Sequence, residues 1–483
     1  MARKNKTTTT RPGVHKTRPE KKVALWLARH PGVLATPTAV TTSLIELGPI
    51  TTGSIASGLL AAGAGWYRAH PDSFSRIASP RIRAFRRRWT RYIGRSWRDS
   101  LDHCGLTVQH RRTGELLVPR LAKVYSPTPS IDVLRVVIRK GQSLTTFRNA
   151  QEELASALGA DVIAIEKTKP RVLTITLVHG NPFDGVVPPA EIPGDVEEVD
   201  LTAIELGDDE YGRVWTEPLL GQHWLIAGAT GSGKGSLLWN PLRAMGPAIR
   251  DGVVRLWVID PKGGMETERG KPLFHRYATS ADEDTEYDPD GDGPEDVDAM
   301  LGLLYGFRDE MKARQELLRS EGKRKFTPST ETPFEVLVID ELAMLTALGG
   351  RRATLMAVNK VLAEILTQGR APGYSVMAFV QEPTKDIVPV RDLFTRRFCL
   401  RIGSAAYVDM VLGEAARERG GLADEIPETE CEGIGYRTSE KSRQPIRVRA
   451  GYSDDEDIDE LVTLCSPRHP GDQDGPALYA IPA

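Results

Sequence analysis

The second half of the chain alternates short apolar runs with amphipathic stretches. Val253–Ile259, Phe334–Ile339 and Val376–Val380 are dominated by apolar residues, which is typical of parallel strands covered on both faces. From Leu355 to Leu366, apolar residues recur at helical spacing, which predicts a helix with one buried face. Short buried strands that alternate with helices predict an α/β fold with a mostly parallel sheet.

The region before residue 200 has a weaker pattern of the same kind. Leu106–Val108 and Leu116–Val118 flank Thr113-Gly114 and predict a hairpin. Further strands are predicted at 133–138, 162–165 and 173–178, and a helix at 147–158. This pattern predicts a small α/β platform domain, followed by a linker rich in Pro, Gly and acidic residues.

The sequence therefore predicts six segments. They are a basic disordered tail (1–38), a possible membrane segment with a basic juxtamembrane helix (39–100), the platform (101–180), a linker (181–200), a larger α/β motor domain (201–464) and a flexible tail (465–483).

Charge is distributed unevenly, although the net charge is only −2. Residues 39–67 contain one charged side chain, Glu46, and the arginine cluster at 81–98 follows them. The threonines, the serines and Pro49 make 39–67 less hydrophobic than a usual span of about 20 residues. We expect membrane association through 39–100, with the arginines on the cytoplasmic side. A basic helix on DNA, or a solvated basic helix, is the alternative.

Neither the cysteines nor the acidic stretch 281–298 has the spacing of a metal site. Cys104, Cys399, Cys431 and Cys465 are widely separated, which indicates a reducing compartment without a disulfide framework. The acidic stretch begins like a calcium loop, but Ala299 stands where the loop needs a glutamate. We interpret it as a solvated insertion.

A glycine-rich loop follows the apolar run that begins at Trp224. The spacing of Gly228, Gly233 and Lys234 is that of a P-loop, whose backbone N–H groups surround a polyphosphate while the lysine adds charge. The candidate phosphate-binding residues are Gly228, Ala229, Thr230, Gly231, Ser232, Gly233, Lys234, Gly235 and Ser236. Gly235 departs from the pattern, because a Ser or Thr there would ligate Mg²⁺. Ser236 could supply that oxygen from the next position, or water could fill the place.

Polar side chains follow two of the apolar runs. Asp340 and Glu341 come directly after Phe334–Ile339, as in a Walker B motif, where the first acid holds magnesium through water and the second orients the attacking water. An N-terminal cap of a helix is the alternative. Gln381 follows Val376–Val380 and could sense the γ-phosphate, unless it is only a turn residue before Pro383.

Two arginines are candidates for stabilising the transition state. Arg397 and Arg401 stand four residues apart around a predicted strand. Arginine fingers that reach a neighbouring subunit's nucleotide supply positive charge that a P-loop domain lacks by itself. Surface salt bridges are the alternative for either residue.

The order of these motifs resembles the FtsK/SpoIIIE family of DNA translocases. The matching stretches are 223–234, 258–262, 338–341, 369–373, 381–383 and 395–397. The resemblance covers about 105–462 and implies a RecA-like P-loop NTPase motor with a platform domain. Gly235-Ser236 resembles the variant found in transfer (Tra) proteins of actinobacterial conjugative plasmids and integrative elements.

The resemblance also implies an activity and partners. We expect an ATPase that uses ATP and Mg²⁺, forms a homo-hexameric ring and pumps double-stranded DNA in conjugation. The expected location is the bacterial cell membrane, with the motor on the cytoplasmic side. Chromosome segregation at cell division, an ATPase acting on secreted proteins, and a non-hydrolysing scaffold are the alternatives.

Overall fold

The computed structural model describes residues 41–467, except 43, 111, 184, 281–295, 349–351, 430, 440 and 441. The predicted basic tail, most of the acidic insertion and the C-terminal tail from 468 lie outside the described residues. The chain divides into two compact units. The first comprises residues up to 158 together with 169–174, and the second comprises 159–168 together with the chain from 175.

The first unit begins with helices and continues with short strands. Its helices are α1 (Gly48–Ala69), α2 (Pro71–Ile77), α3 (Ser79–Thr90) and α4 (Arg95–His103), followed after the first four strands by α5 (Leu144–Arg148) and α6 (Gln151–Leu158). Those strands are β1 (Val108–Gln109), β2 (Leu116–Leu117), β3 (Arg120–Tyr125) and β4 (Ile131–Val137). The predicted hairpin is confirmed, since β1 and β2 pair antiparallel.

The helix predicted at 147–158 is wrong as a single element. It is split into two helices. Ser143 caps the start of α5, Asn149 caps its end after Arg148, and α6 starts at Gln151. Asparagine favours helix ends, since its side chain competes for backbone hydrogen bonds.

A buried carboxylate joins α3 to the strands. Asp132 on β4 is fully buried and accepts hydrogen bonds from Arg87 at 2.7 Å and from the Tyr92 hydroxyl at 2.5 Å. Ser126 donates to the same carboxylate. Arg87, one member of the basic cluster, therefore serves the packing of this unit, because a buried charge requires such partners.

Most of the predicted membrane segment forms the 22-residue α1, which begins at Gly48. Over the described residues, no helix combines the length and the apolar character needed to cross a membrane.

Two strands, β5 (Val162–Lys169) and β6 (Val172–Val178), follow α6 in the chain. With β3 and β4 they form a four-stranded sheet. Both strands were predicted, and β5 extends four residues beyond the predicted end at 165.

The second unit is built on a ten-stranded sheet. Its strands after β6 are β7 (Ile204–Asp209), β8 (Val214–Glu217), β9 (Trp224–Ala227), β10 (Val254–Asp260), β11 (Arg276–Thr279), β12 (Phe334–Ile339), β13 (Tyr374–Val380), β14 (Arg396–Leu400), β15 (Ile434–Ser439) and β16 (Ser442–Ala450). The helices are α7 (Lys234–Ala244), α8 (Gly246–Arg250), α9 (Asp296–Ser320), α10 (Arg352–Gln368), α11 (Ala405–Leu412) and α12 (Asp455–Cys465).

The strand order is β11-β10-β12-β13-β9-β14-β15-β16-β7-β8. Neighbours from β11 to β14 are parallel, whereas the pairs from β14 to β8 are antiparallel. The predicted α/β fold with a mostly parallel sheet is confirmed. Because parallel strands share the direction of their carboxyl ends, β9, β12 and β13 end at one edge of the sheet.

The parallel strands are buried on both faces. Leu225 and Ala227 of β9 face one apolar cluster, whereas Trp224 and Ile226 face the other. Successive side chains of a strand point to opposite faces, so a wholly apolar run is needed here. Each such buried aliphatic side chain contributes roughly 1.5–3 kcal/mol.

The stretch predicted as a linker is part of the second unit and packs against its apolar clusters. Phe183 belongs to one apolar cluster, and Ile192 contacts the other. The backbone N–H of Ala190 donates to Asn240 Oδ1 at 2.6 Å, and Arg243 Nε donates to the Ala190 carbonyl at 2.9 Å. Both partners lie on α7, the helix that follows the glycine-rich loop.

Candidate nucleotide-binding site

The glycine-rich loop leaves β9 at the edge where β13 and β14 also end. Gly228 N–H donates to the Val380 carbonyl, and Ala229 N–H donates to the Arg401 carbonyl. Gly231 and Gly233 have φ of 70° and 90°, a left-handed conformation that favours glycine. A Cβ on Gly233 would also overlap the backbone of Gly433. The loop conformation therefore requires glycine at these positions.

Lys234 begins α7 and turns its ammonium back over the loop. Its Nζ donates to the Gly228 carbonyl at 2.7 Å and to the Ala229 carbonyl at 3.1 Å. Burial lowers the pKa of Lys234, although Glu341 opposes the shift. A partly buried cation at a helix N-terminus is suited to binding phosphate, which the helix dipole and free N–H groups also attract.

Two carboxylates follow β12 and are bridged by one lysine. Asp340 and Glu341 are 6% and 4% exposed. Lys262 Nζ lies 3.0 Å from Asp340 Oδ2 and 3.5 Å from Glu341 Oε2. Burial lowers the pKa of Lys262, but Asp340 and Glu341 outweigh it, so the net shift is upward. In this structure the two carboxylates are therefore neutralised in part by the Lys262 ammonium, at the position where a metal ion would also lie near them.

Gln381 connects the carboxylates to the loop. Its backbone N–H donates to Glu341 Oε1 at 3.4 Å, and its side-chain Oε1 accepts from Thr230 Oγ1 at 3.2 Å. Thr230 belongs to the glycine-rich loop, so Gln381 contacts both parts of the site. This is the position that a residue sensing the γ-phosphate would need.

The two candidate arginines lie in different places. Arg401 Nη2 donates to the Thr230 carbonyl at 2.7 Å, and Nη1 lies 3.3 Å from Glu428 Oε1. Arg397 pairs in register with Leu225, inside the sheet, and its Nη1 lies 3.7 Å from Asp392 Oδ1. The structure brings Arg401 to the loop of its own chain and does not bring Arg397 there.

The loop after β10 closes over the start of α7. Asp260 accepts hydrogen bonds from Lys262 N at 2.9 Å and from Thr267 Oγ1 at 2.8 Å. These contacts fix a turn that carries Glu266, whose Oε1 a Cβ on Gly235 would overlap. No role was predicted for Lys262 or Glu266 from sequence, although Lys262 lies in the matching stretch 258–262. The polar run directly after an apolar strand was the available signal.

Comparison with known proteins identifies this part of the chain. Residues 186–417 match the model of the FtsK/SpoIIIE family. This segment is an FtsK/SpoIIIE domain. Domains of this family are P-loop ATPases.

The chain is similar to curated DNA translocases named FtsK. The protein of Staphylococcus aureus strain Mu50 is 22% identical over 302 residues, which are 60% of this chain and 37% of that protein. The protein of Chlamydia muridarum is 23% identical over 381 residues, covering 74% of this chain and 44% of that protein. The chain thus spans less than half the length of these relatives.

The chain also shows similarity to solved structures of two further proteins. One is the pCW3 conjugation coupling protein TcpA in its monomer form with ATPγS, at a TM-score of 0.48 and 20% identity, covering 76% of this chain and 98% of that one. The other is the cytoplasmic domain of the type VII secretion ATPase EccC of Thermomonospora curvata, at a TM-score of 0.45 and 23% identity, covering 63% of this chain and 35% of that one.

The residues of the FtsK/SpoIIIE domain fit a nucleotide accompanied by a metal ion. The buried Oγ of Ser232, in the loop, has no hydrogen-bond partner among the described residues and is available to a phosphate. In the described part of the chain, no three His, Cys, Asp or Glu side chains are grouped to hold a metal. Mg²⁺ would therefore take most of its ligands from phosphate and water, as it commonly does.

Proposed function

We propose that this protein is an ATP-driven motor that moves double-stranded DNA. One observation carries the ATPase half of the proposal, namely the contacts that run from Glu341 through Gln381 to Thr230 and Arg401 at one sheet edge. They join Glu341 to the phosphate loop. The choice of DNA rests on the relatives, which are DNA translocases.

Each residue has a separate task in this proposal. The loop N–H groups from 228 to 236 and Lys234 hold the phosphates. Glu341 orients and deprotonates the attacking water, which is worth typically 10²–10⁴-fold in rate. Gln381 reports the state of the γ-phosphate, and Arg401 adds positive charge beside the loop. In a P-loop site, Mg²⁺ neutralises charge that develops on the phosphates, and Asp340 would hold it through water.

ATP hydrolysis with and without duplex DNA tests the proposal. We expect duplex to stimulate turnover of the full chain. Lys234→Ala should abolish nucleotide binding, and Glu341→Gln should keep binding while lowering turnover by about 10²-fold or more. Lys360→Ala, a change at an exposed lysine on α10, is the matched control. Turnover that is insensitive to duplex, or unaltered in Glu341→Gln, contradicts the proposal, and stimulation by a protein substrate instead would favour the secretion alternative.

Assembly into a homo-hexameric ring is part of the proposal. Arg401 contacts the loop of its own chain, and Arg397 is the remaining candidate for reaching a neighbouring subunit. Native mass spectrometry with ATPγS and duplex should give six copies. Arg397→Ala should then lower turnover of the ring while leaving ATPγS binding unchanged. A monomer under all these conditions, with full DNA-stimulated turnover, refutes the ring.

We also propose that residues 39–100 associate with the bacterial membrane and hold the motor on its cytoplasmic side. Ile50, Leu59 and Leu60 of α1 are 86%, 71% and 76% exposed. A groove of about 470 Å³ beside α3 carries basic and apolar side chains. Its lining includes Arg76, Arg81, Arg88, Lys123, Ile77 and Phe85. Basic and apolar groups together suit an anionic bilayer surface.

Vesicle flotation tests the membrane proposal. The full chain should float with vesicles that contain phosphatidylglycerol and remain in solution with neutral phosphatidylcholine vesicles. Arg81→Glu together with Arg88→Glu should reduce flotation. Equal behaviour with both vesicle types would mean that charge does not direct the association.

Transfer of plasmid or integrative-element DNA between cells is the biological role we propose. Its support is Gly235-Ser236, the variant loop that resembles those of transfer proteins. Donor cells that carry Glu341→Gln in place of the wild-type protein should lose transfer while growing and dividing normally. A division or segregation defect with normal transfer would favour chromosome segregation.

A further inference from the structure

The P-loop lacks a side chain where a hydroxyl is expected. In a P-loop, the residue after the lysine is Ser or Thr, and its hydroxyl is a ligand of Mg²⁺. Gly235 stands there, and a Cβ built on it would overlap Glu266 Oε1. The space that the missing side chain would enter is therefore taken by a carboxylate from another part of the chain.

Ser236 is poorly oriented to replace the missing hydroxyl. It follows Gly235 inside α7, and successive residues of a helix are rotated by about 100° around its axis. Its side chain therefore leaves the helix in a different direction from that of position 235.

Glu266 lies within the electrostatic environment of the site. Partial burial of its carboxyl and the neighbouring Asp340 raise the pKa of Glu266, and Lys262 opposes them. The next residue, Thr267, is fully buried and hydrogen bonded to Asp260, which fixes the turn. Lys262 and Lys234 offset part of the repulsion between Glu266 and Asp340, and a divalent cation beside these two carboxylates would offset more of it.

We propose that Glu266 replaces the P-loop hydroxyl and helps to hold the metal ion that accompanies ATP. The proposal rests on the nucleotide-dependent function proposed above. A carboxylate oxygen is a ligand that Mg²⁺ prefers, and here it comes from the turn after β10 instead of from α7. Gly235 is then the residue that makes room for it.

The test is binding of fluorescent ATPγS to the full chain as Mg²⁺ is titrated from zero, without any measurement of turnover. Glu266→Ala and Glu266→Gln should require 10–100-fold more Mg²⁺ to reach half-maximal enhancement, as is typical when a group supporting a metal is lost. Binding of ATPγS in EDTA should be unchanged or tighter, since a negative charge is removed. Glu268→Gln, in the same turn, is the matched control and should behave as wild type.

A rescue experiment and a spectroscopic measurement separate this role from a structural one. Gly235→Thr alone should disturb the site, because its side chain meets Glu266, whereas Gly235→Thr combined with Glu266→Ala should restore the Mg²⁺ midpoint. Mn²⁺ electron paramagnetic resonance should show weaker Mn²⁺ binding with ATPγS in Glu266→Ala. An unchanged Mg²⁺ midpoint together with an unchanged Mn²⁺ signal in Glu266→Ala would overturn the role of Glu266 and leave the proposed function standing. Failure of the wild type to bind ATPγS in any condition would overturn the proposed function as well.

Discussion

Acid should lower the stability of the fold around β9, the strand before the P-loop, because of His223. This residue precedes β9 and is fully buried. Its Nδ1 accepts the backbone N–H of Val376 on β13 at 3.1 Å, while its own carbonyl accepts N–H groups of Thr395 and Arg396. Since Nδ1 acts as an acceptor, it must be unprotonated. Burial, with a smaller effect of Arg370, lowers the pKa of His223 from 6.5 to about 4.

The sign and size of the effect follow from proton linkage. Below pH 6.5 the unfolded chain binds a proton at His223 that the folded chain excludes, so stability is present above that pH and is lost as the pH falls towards 4. The slope is about 1.4 kcal/mol per pH unit, which gives about 2 kcal/mol of lost stability at pH 5 and about 3 kcal/mol at pH 4.

Hydrogen exchange of the β13 peptide Tyr374–Val380 measures this effect locally. The opening free energy should fall between pH 7 and pH 5 in the wild type. His223→Asn keeps an acceptor for the Val376 N–H but cannot be protonated, so it should lose about 2 kcal/mol less over the same interval. It should start about 1–2 kcal/mol less stable at pH 7, because the ring is removed. Substitution of the exposed His70 is the control. Parallel pH curves for wild type and His223→Asn would show that His223 does not cause the loss of stability in acid.

Three further predictions concern stability and the loop. Gly233→Ala should abolish ATPγS binding in a fluorescence titration, because its Cβ meets Gly433 in a left-handed conformation. Asp132→Ala should cost about 3–5 kcal/mol in urea unfolding of the first unit, because Arg87 is left without its buried partner; a cost below 1 kcal/mol would contradict this. Glu335→Ala should cost a similar amount in the second unit, because Arg314 loses its carboxylate partner and the Trp257 N–H loses its acceptor.

The sequence predicts the parallel part of the sheet well because those strands are buried on both faces. β12 occupies Phe334–Ile339 as predicted, and β13 begins only two residues before the predicted start. The antiparallel part of the sheet, from β15 to β8, has no continuous apolar run of this kind. Its strands carry paired charges, such as Glu217 with Arg437 at 3.0 Å, and a buried salt bridge looks in sequence like an exposed polar pair.

The site divides in the same way, between local and tertiary information. The loop, Asp340, Glu341 and Gln381 are found from sequence because each directly follows an apolar strand, so fold topology alone brings them to one edge.

Arg397 and Arg401 look equivalent at four-residue spacing, yet β14 ends at Leu400. Arg397 thus lies on the strand, with its partly exposed side chain beside Asp392, while Arg401 turns into the loop. Glu266 is further from prediction, because it reaches the site through a turn held by Asp260 and Thr267. The sequence does show that Gly235 lacks the hydroxyl side chain that a P-loop has at this position. A side chain that is missing from a well-defined motif is therefore a reason to look for its replacement elsewhere in the fold.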